Sequence, residues 1–212
     1  DARFKNLRQD LYDGLDGEIK GHVRELLDQK VEPGDILNLG LLAAMEKIGQ
    51  EFRAGQLFVP EVLLAARAMN AALAVLEPRL SSSGRRARGK VLIGTVLGDL
   101  HDIGKNMVAI MLRGVGFEVV DAGINIAAAD FVKKVADLKP DILGLSALLT
   151  TTMPQMKMVI EGLAKAGLKD KVKVMVGGAP VSPTYARQIG ADGYAADAGE
   201  AVEVAKKLVA GS

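Results

Sequence analysis

Chemistry in this chain has few places to reside, because the sequence holds two histidines and no cysteine. The lack of thiols removes disulfides, thiolate metal sites, iron–sulfur clusters and sulfur nucleophiles together. His22 has no partner at useful spacing and reads as a surface helix residue. His101 lies in the run GDLHDIGKN, with Asp99 two residues before it and Asp102, Ile103 and Gly104 directly after. Further on, Ser146, Ala147 and Leu148 precede three hydroxyl-bearing residues, Thr150, Thr151 and Thr152, and Gly177 and Gly178 form a double glycine. Each signal has a plain reading. The first run can be a helix-capping loop in which Asp99 or Asp102 serves orphan amides, or a solvated loop. The threonines can cap a helix, and the glycines can simply turn the chain.

The elements that must position these residues give them joint meaning. Beyond residue 89 the apolar runs KVLIGTVL, FEVVDAG, DILGLSAL, KVMVGGAP and GYAAD alternate with helical stretches. Five strands alternating with helices predict a parallel, doubly wound sheet, since parallel strands need crossovers and those are usually helices. In such sheets ligands sit outside the carboxyl ends of the strands, near the point where strand order reverses. All three signals fall at strand ends. A histidine, a carboxylate, hydroxyls and backbone bare of side chains are thereby expected at one end of one sheet, as a large ligand would need.

The first eighty residues have a different period. Leu37, Leu41, Ala44, Met45, Ile48 and Phe52 recur at helical spacing, as do Leu63, Ala66, Met69, Leu73 and Leu76. Shorter helices are expected over FKNLRQDLYDG and EIKGHVRELLDQK, the second with Asp16 as its capping candidate, and Pro60 suits the first turn of the last helix. A four-helix bundle over residues 1–80 is the economical reading. Residues 81–89, SSSGRRARG, lack apolar period and read as a linker, which leaves 90–212 for the α/β domain. The 27 basic and 26 acidic side chains balance, giving no electrostatic reason to expect nucleic acid or membrane as partner. No uninterrupted apolar run of about 18 residues occurs and the amino terminus is charged rather than signal-like, so the chain reads as soluble and cytoplasmic. It begins at Asp1 rather than methionine, which leaves room for sequence upstream.

Asp99, His101 and Gly104 as D-x-H-x-x-G, Ser146 and Leu148 as S-x-L, and the paired Gly177 and Gly178 together resemble a known fingerprint. It is that of cobalamin-binding domains which hold the cofactor with a histidine on the cobalt, as in methionine synthase and the corrinoid proteins of methyltransferase systems. The stretch EFRAGQLFVPEVLLAARAMNAALAVLEP is similar to the helical cap that precedes such domains, so the resemblance covers about residues 4–210. It implies a four-helix cap followed by a five-stranded Rossmann- or flavodoxin-like domain binding cobalamin or a related corrinoid. His101 is then the axial ligand of cobalt, for which an imidazole nitrogen is well suited, and Asp99 orients the ring through its other nitrogen. Thr152 stands where methionine synthase has a serine that bonds the aspartate; the hydroxyl survives while the added methyl restricts its rotamer. Asp102, Ile103 and Gly104 are carried over as cofactor-binding positions. Ser146 and Leu148 line a slot for the nucleotide tail, Thr150 adds a polar contact, and Gly177 and Gly178 let backbone approach the tail. Phe52 and Val59 match cap positions over the methyl group, with bundle core as the competing reading for both.

The function this resemblance implies is that of a corrinoid carrier. It accepts a methyl group from a donor-specific methyltransferase of the methanol, methylamine or methoxylated-aromatic class. It presents that group to a second methyltransferase whose acceptor is tetrahydrofolate or a thiol coenzyme, with a reductive activase as a further partner. No segment long enough for a barrel and no zinc-ligand set is present to activate donor or acceptor, so turnover by the chain alone is not expected. Two other classes fit less well. A mutase small subunit does not call for the helical cap; a cobalamin-dependent sensor would normally add a DNA-binding segment, and this chain contains no tryptophan for a cap of that type.

Overall fold

In the computed structural model, which describes residues 2–80 and 87–210 except for the side chains of Arg53, Glu77 and Leu80, the two periodicities separate into two units. One is Asp1–Arg86 with Gly114–Gly116; the other is Ala87–Arg113 with Phe117–Ser212. Most of the expected linker, 81–86, lies outside the described residues.

The first unit is built of helices α1 (Lys5–Asp13), α2 (Asp16–Asp28), α3 (Pro33–Asp35), α4 (Ala43–Arg53) and α5 (Val59–Leu80). Gly14, left-handed at φ +70°, ends α1 by returning its N–H to the carbonyls of Asp10 and Leu11. Asp16 is the first residue of α2 rather than its cap, and its carboxylate instead pairs with Arg67 of α5 at 2.8 Å. His22 is not a lone surface residue either. Its Nδ1 meets the carboxylate of Asp10, which is buried where α1 packs on α2.

Between α3 and α4 the chain runs through a π-helical segment, Ile36–Leu42. The wider i→i+5 turn shifts the phase of the apolar stripe, so Ile36 and Gly40 point inward and Leu37 is only half-buried. In α5 the buried stripe runs through Val62, Ala65, Met69, Ala72 and Leu76, whereas Leu63 is 45% exposed. Small alanines on that stripe let α5 lie close along α2. By length and composition α5 is apolar enough to cross a membrane, yet this inward stripe is that of a bundle helix.

The second unit carries a sheet of five strands among the described residues: β1 (Lys90–Thr95), β2 (Glu118–Asp121), β3 (Ile142–Ser146), β4 (Lys173–Gly177) and β5 (Gly193–Ala195). All are parallel in the order β2-β1-β3-β4-β5. Helices α6 (Ile103–Gly114), α7 (Ala128–Leu138), α8 (Pro154–Lys165), α9 (Pro183–Gln188) and α10 (Ala198–Ala210) make or follow the crossovers. The chain steps one way from β1 to β2 and the other way ever after. With right-handed crossovers, that reversal puts α7, α8 and α9 on one face and α6 and α10 on the other. Residues of β1, β3 and β4 are buried on both faces, as continuous apolar runs such as VLI and VMV require.

Phe131 of α7 is fully buried in the core beside Leu92, Leu143 and Val174. Phe131→Ala should therefore cost about 3–5 kcal/mol of unfolding free energy, read from the urea midpoint of the whole protein. A loss below about 1 kcal/mol would contradict this packing.

Candidate functional site

The order of strands places the switch point between β1 and β3, where the chain leaves the sheet in opposite directions and opens a crevice. The loops that carry D-x-H-x-x-G and S-x-L follow these two strands. Register aligns their ends closely: Thr95 pairs with Ser146, and Ser146 with Gly177. The three separate sequence signals thus end on one row across the sheet.

Asp99 is the centre of this row's outer side. Its carboxylate is wholly buried. One oxygen accepts from the His101 amide at 3.1 Å and faces His101 Nδ1 at 2.7 Å. The other accepts from the amide of Leu148 and the hydroxyl of Thr152, each at 2.7 Å. Burial by itself raises the pKa of this carboxyl, but the bonds from Leu148, Thr152 and His101 outweigh it and hold the group well below the usual carboxylate range. Thr152 Oγ1 also lies 3.0 Å from the carbonyl of Leu149. A hydroxyl has one proton to give, and the shorter, charged acceptor takes it.

A carboxylate held ionised requires a proton on the nitrogen facing it, so His101 Nδ1 donates, and in the neutral ring Nε2 is the nitrogen with the lone pair. The His101 side chain is half exposed, at 50% against 0% for Asp99, and among the described residues Nε2 has no partner. The ring is thus fixed on one side and open on the other. The buried hydroxyl of Thr95 adds a second hold by donating to the His101 carbonyl at 2.9 Å.

The plainer readings can now be placed. Asp102 does precede α6 and takes the first helical bond from the Asn106 amide at 2.7 Å, with Asn106 Nδ2 3.2 Å from its carboxylate. Asp99 serves no amide of that helix. Ile103 and Gly104 begin α6 and are exposed. Ser146 is half-buried and Thr150 exposed, and neither side chain has a hydrogen-bond partner among the described residues. Phe52 is half-buried in the last turn of α4, and Val59, 39% exposed, opens α5; both belong to the other unit.

Three residues of this site carry no clear mark in the sequence: Thr95, whose hydroxyl sits in an apolar strand, Asn125, and Leu148 through its main-chain amide. Asn125 is left-handed at φ +56°, its side-chain oxygen accepts the Gly98 amide at 2.7 Å, and its own amide reaches the Asp99 carbonyl at 3.1 Å.

The surroundings fit a bulky group that brings its own metal. Among the described residues no cluster of three or more histidine or acidic side chains could hold a metal ion, and His101 offers a single nitrogen, as suits a metal that brings its other ligands with it. A side chain at Gly104 would meet no protein atom within 4 Å, whereas one at Gly178 would strike the Ala147 carbonyl at 1.9 Å and one at Gly177 the Ala195 carbonyl at 2.8 Å. The double glycine is therefore needed by the protein's own backbone, with Gly178 at φ +129°, while Gly104 faces open space. Leu97, Leu100, Ile103, Leu148 and Leu149 expose apolar surface from the loops at this end of the sheet, as a binding surface does.

Comparison with known proteins identifies the family. A family profile described as a B12 binding domain matches residues 89–203, and a second of the same description matches residues 3–77. The dimethylamine corrinoid protein of Methanosarcina barkeri is 43% identical over 210 residues, covering 97% of this chain and 99% of that one. Trimethylamine corrinoid protein 2 of Methanosarcina mazei is 42% identical over 207 residues, covering 97% and 94%. Among solved structures, the methanol:cobalamin methyltransferase complex of Methanosarcina barkeri superimposes with a TM-score of 0.89 at 28% identity, over 100% of this chain and 81% of that one.

The lowered pKa of Asp99 gives a signed prediction. A carboxyl whose folded pKa lies below its unfolded value of about 4 stabilises the fold above that pH, and the contribution fades as pH falls. Asp99→Asn should be less stable than the parent by about 1–3 kcal/mol at neutral pH. The gap should begin to narrow in urea titrations repeated down to about pH 3, where the unfolded parent takes up a proton that the folded carboxyl does not. A gap unchanged with pH would contradict the assigned ionisation.

Proposed function

Because the chain belongs to the B12-binding family and is a corrinoid protein, we propose that it carries methyl groups between methyltransferases on the cobalt of its bound cofactor. The observation behind this reading is His101, held through Nδ1 by a buried carboxylate and presenting Nε2 outward at the switch point. When bound, the corrinoid supplies a cobalt that takes and gives up a methyl group, and that reactivity is the cofactor's own.

The residues of the chain hold and protect. His101 would hold the cobalt through Nε2, and Asp99 would fix the tautomer that makes Nε2 a donor of electrons rather than of a proton. Were Nε2 not holding the metal it could take a proton, with the Asp99 carboxylate, backed by the Thr152 hydroxyl, facing the other side of the ring. Ser146, Leu148 and the open side of Gly104 border the nucleotide tail, with Asp102, Ile103 and Thr150 at its margin and Gly177 and Gly178 forming its backbone floor. Phe52 and Val59 belong to an apolar lid that excludes water from the reactive face, carried by a helical domain over residues 1–80 and joined through 81–89 to the domain at 90–212.

The methyl donor belongs to the methylamine class in this reading, which is supported by the higher identity to the dimethylamine and trimethylamine corrinoid proteins than to the methanol system. A donor-specific methyltransferase loads the cofactor, and a second one unloads it to a thiol coenzyme or tetrahydrofolate. A reductive activase restores cofactor that has become oxidised. All of this takes place in the cytoplasm. No group placed in the site can activate a donor or an acceptor, so the chain alone has no sustained turnover.

The test is anaerobic incubation of reduced holoprotein with each of four donor enzymes, specific for mono-, di- or trimethylamine or for methanol, followed by the absorption change of cobalt methylation. One methyl per cobalt with a methylamine enzyme is the expected result; no methylation by any of them, or repeated turnover without added protein, would overturn the reading. His101→Ala should stay folded and lose the nitrogen superhyperfine splitting of the Co(II) paramagnetic resonance spectrum. Splitting that survived the substitution would rule out His101 as the ligand.

A further inference from the structure

Asp99 is pinned from one side by the loop after β3, through the Leu148 amide and the Thr152 hydroxyl. Its main chain is pinned from the other side by the loop after β2, and no motif points there. Beyond Asp121 that loop departs from the strand and returns to pair Ile126 with Val96. Gly123 (φ +94°) and Asn125 (φ +56°) give it this path. Backbone bonds zip it to β1 on the way, from Thr95 N to Gly123 O at 3.0 Å and from Ile126 N to Thr95 O at 3.1 Å.

Its base is anchored by an ion pair that the function leaves unused. Lys105, in the first turn of α6, is 3% exposed and donates to the Asp121 carboxylate and to Asn106 Oδ1. Asp121 in turn accepts the Gly123 amide at 2.8 Å, and burial, outweighed by the Lys105 bond and charge and by the Gly123 amide, leaves its carboxyl lowered. A buried ammonium with two oxygen partners is costly to disturb, so the loop has a fixed start.

From that base Asn125 reaches the His101 loop twice, its Oδ1 accepting the Gly98 amide at 2.7 Å and its amide donating to the Asp99 carbonyl at 3.1 Å. The two bonds bracket the Gly98–Asp99 peptide. They set the direction in which the Asp99 Cα projects its side chain, and so where its carboxylate meets His101. The left-handed backbone that this needs is one that asparagine, aspartate and glycine tolerate and other residues resist.

We propose that Asn125 is a positioning residue for the axial ligand: by clamping the Gly98–Asp99 backbone it holds the Asp99 carboxylate on His101 Nδ1, and thereby the ring on the metal. This rests on His101 being the ligand, as proposed above. Three substitutions separate the parts. Asn125→Gly keeps the backbone conformation and removes the acceptor for Gly98; Asn125→Asp keeps both; Asn125→Ala removes the acceptor and strains the backbone.

The experiment loads each full-length variant with cobalamin, reduces it to Co(II), and measures the ratio of nitrogen-split to unsplit paramagnetic signal, with urea unfolding of the same protein alongside. Asn125→Gly should lower that ratio about tenfold, at the low end of what partners of metal-bound histidine produce, while Asn125→Asp restores it. A merely structural role would move the unfolding midpoint and leave the ratio alone. Asn125→Gly with the parent's ratio, or Asn125→Asp as impaired as the glycine variant, overturns the inference while leaving His101 ligation intact. If the parent itself shows no nitrogen splitting, the ligation reading fails and takes this inference with it. Should Asn125→Ala not fold, the glycine and aspartate variants still decide.

Discussion

One buried carboxylate organises the functional end of this protein. Asp99 accepts two bonds on each oxygen, from the His101 amide and ring, the Leu148 amide and the Thr152 hydroxyl. Four hydrogens converging on a desolvated charge repay its burial. They also join the loops that follow β1 and β3, which leave these paired strands in opposite directions at the switch point. The carboxylate that orients His101 is thus the same group that joins the two loops.

Much of this was legible in the sequence, and the reasons differ by element. Strands announced themselves as apolar runs punctuated by glycine, because a parallel sheet buried on both faces leaves no room for polar alternation. The His101 loop, S-x-L and the double glycine were found because all three fall at strand ends and their spacing together resembles a family fingerprint. Thr95, Asn125 and the Leu148 amide escaped. A threonine in a strand is ordinary, a main-chain amide has no letter, and Asn125 acts only through two loops that the sequence does not bring together. The glycine pair was read as letting backbone approach a ligand tail, and the protein's own backbone requires it as well, Gly178 through the Ala147 carbonyl and its positive φ.

In the helical unit the misreadings have local causes. A π-helical segment is invisible to a 3.6-residue period, so the expected stripe took Leu37 where the structure buries Ile36. Asp16 carries the look of a cap, but its charge is spent on Arg67, and His22 finds Asp10 across a helix pair rather than along its own helix. Each is a tertiary contact overriding a local preference. The family comparison spans both units, while the ligand-orienting bonds lie entirely within the second, so the account of His101 stands on that unit alone.

The central claim is that the Asp99 charge selects the tautomer of His101 before any metal is present. A long-range proton–nitrogen correlation spectrum of the cofactor-free protein, at a pH where imidazoles are neutral, reads this directly, and with only two histidines in the chain the assignment is simple. The account predicts that His101 carries its proton on Nδ1 and an unprotonated lone pair on Nε2. A His101 ring protonated on Nε2, or divided between tautomers as in a free histidine, would contradict it.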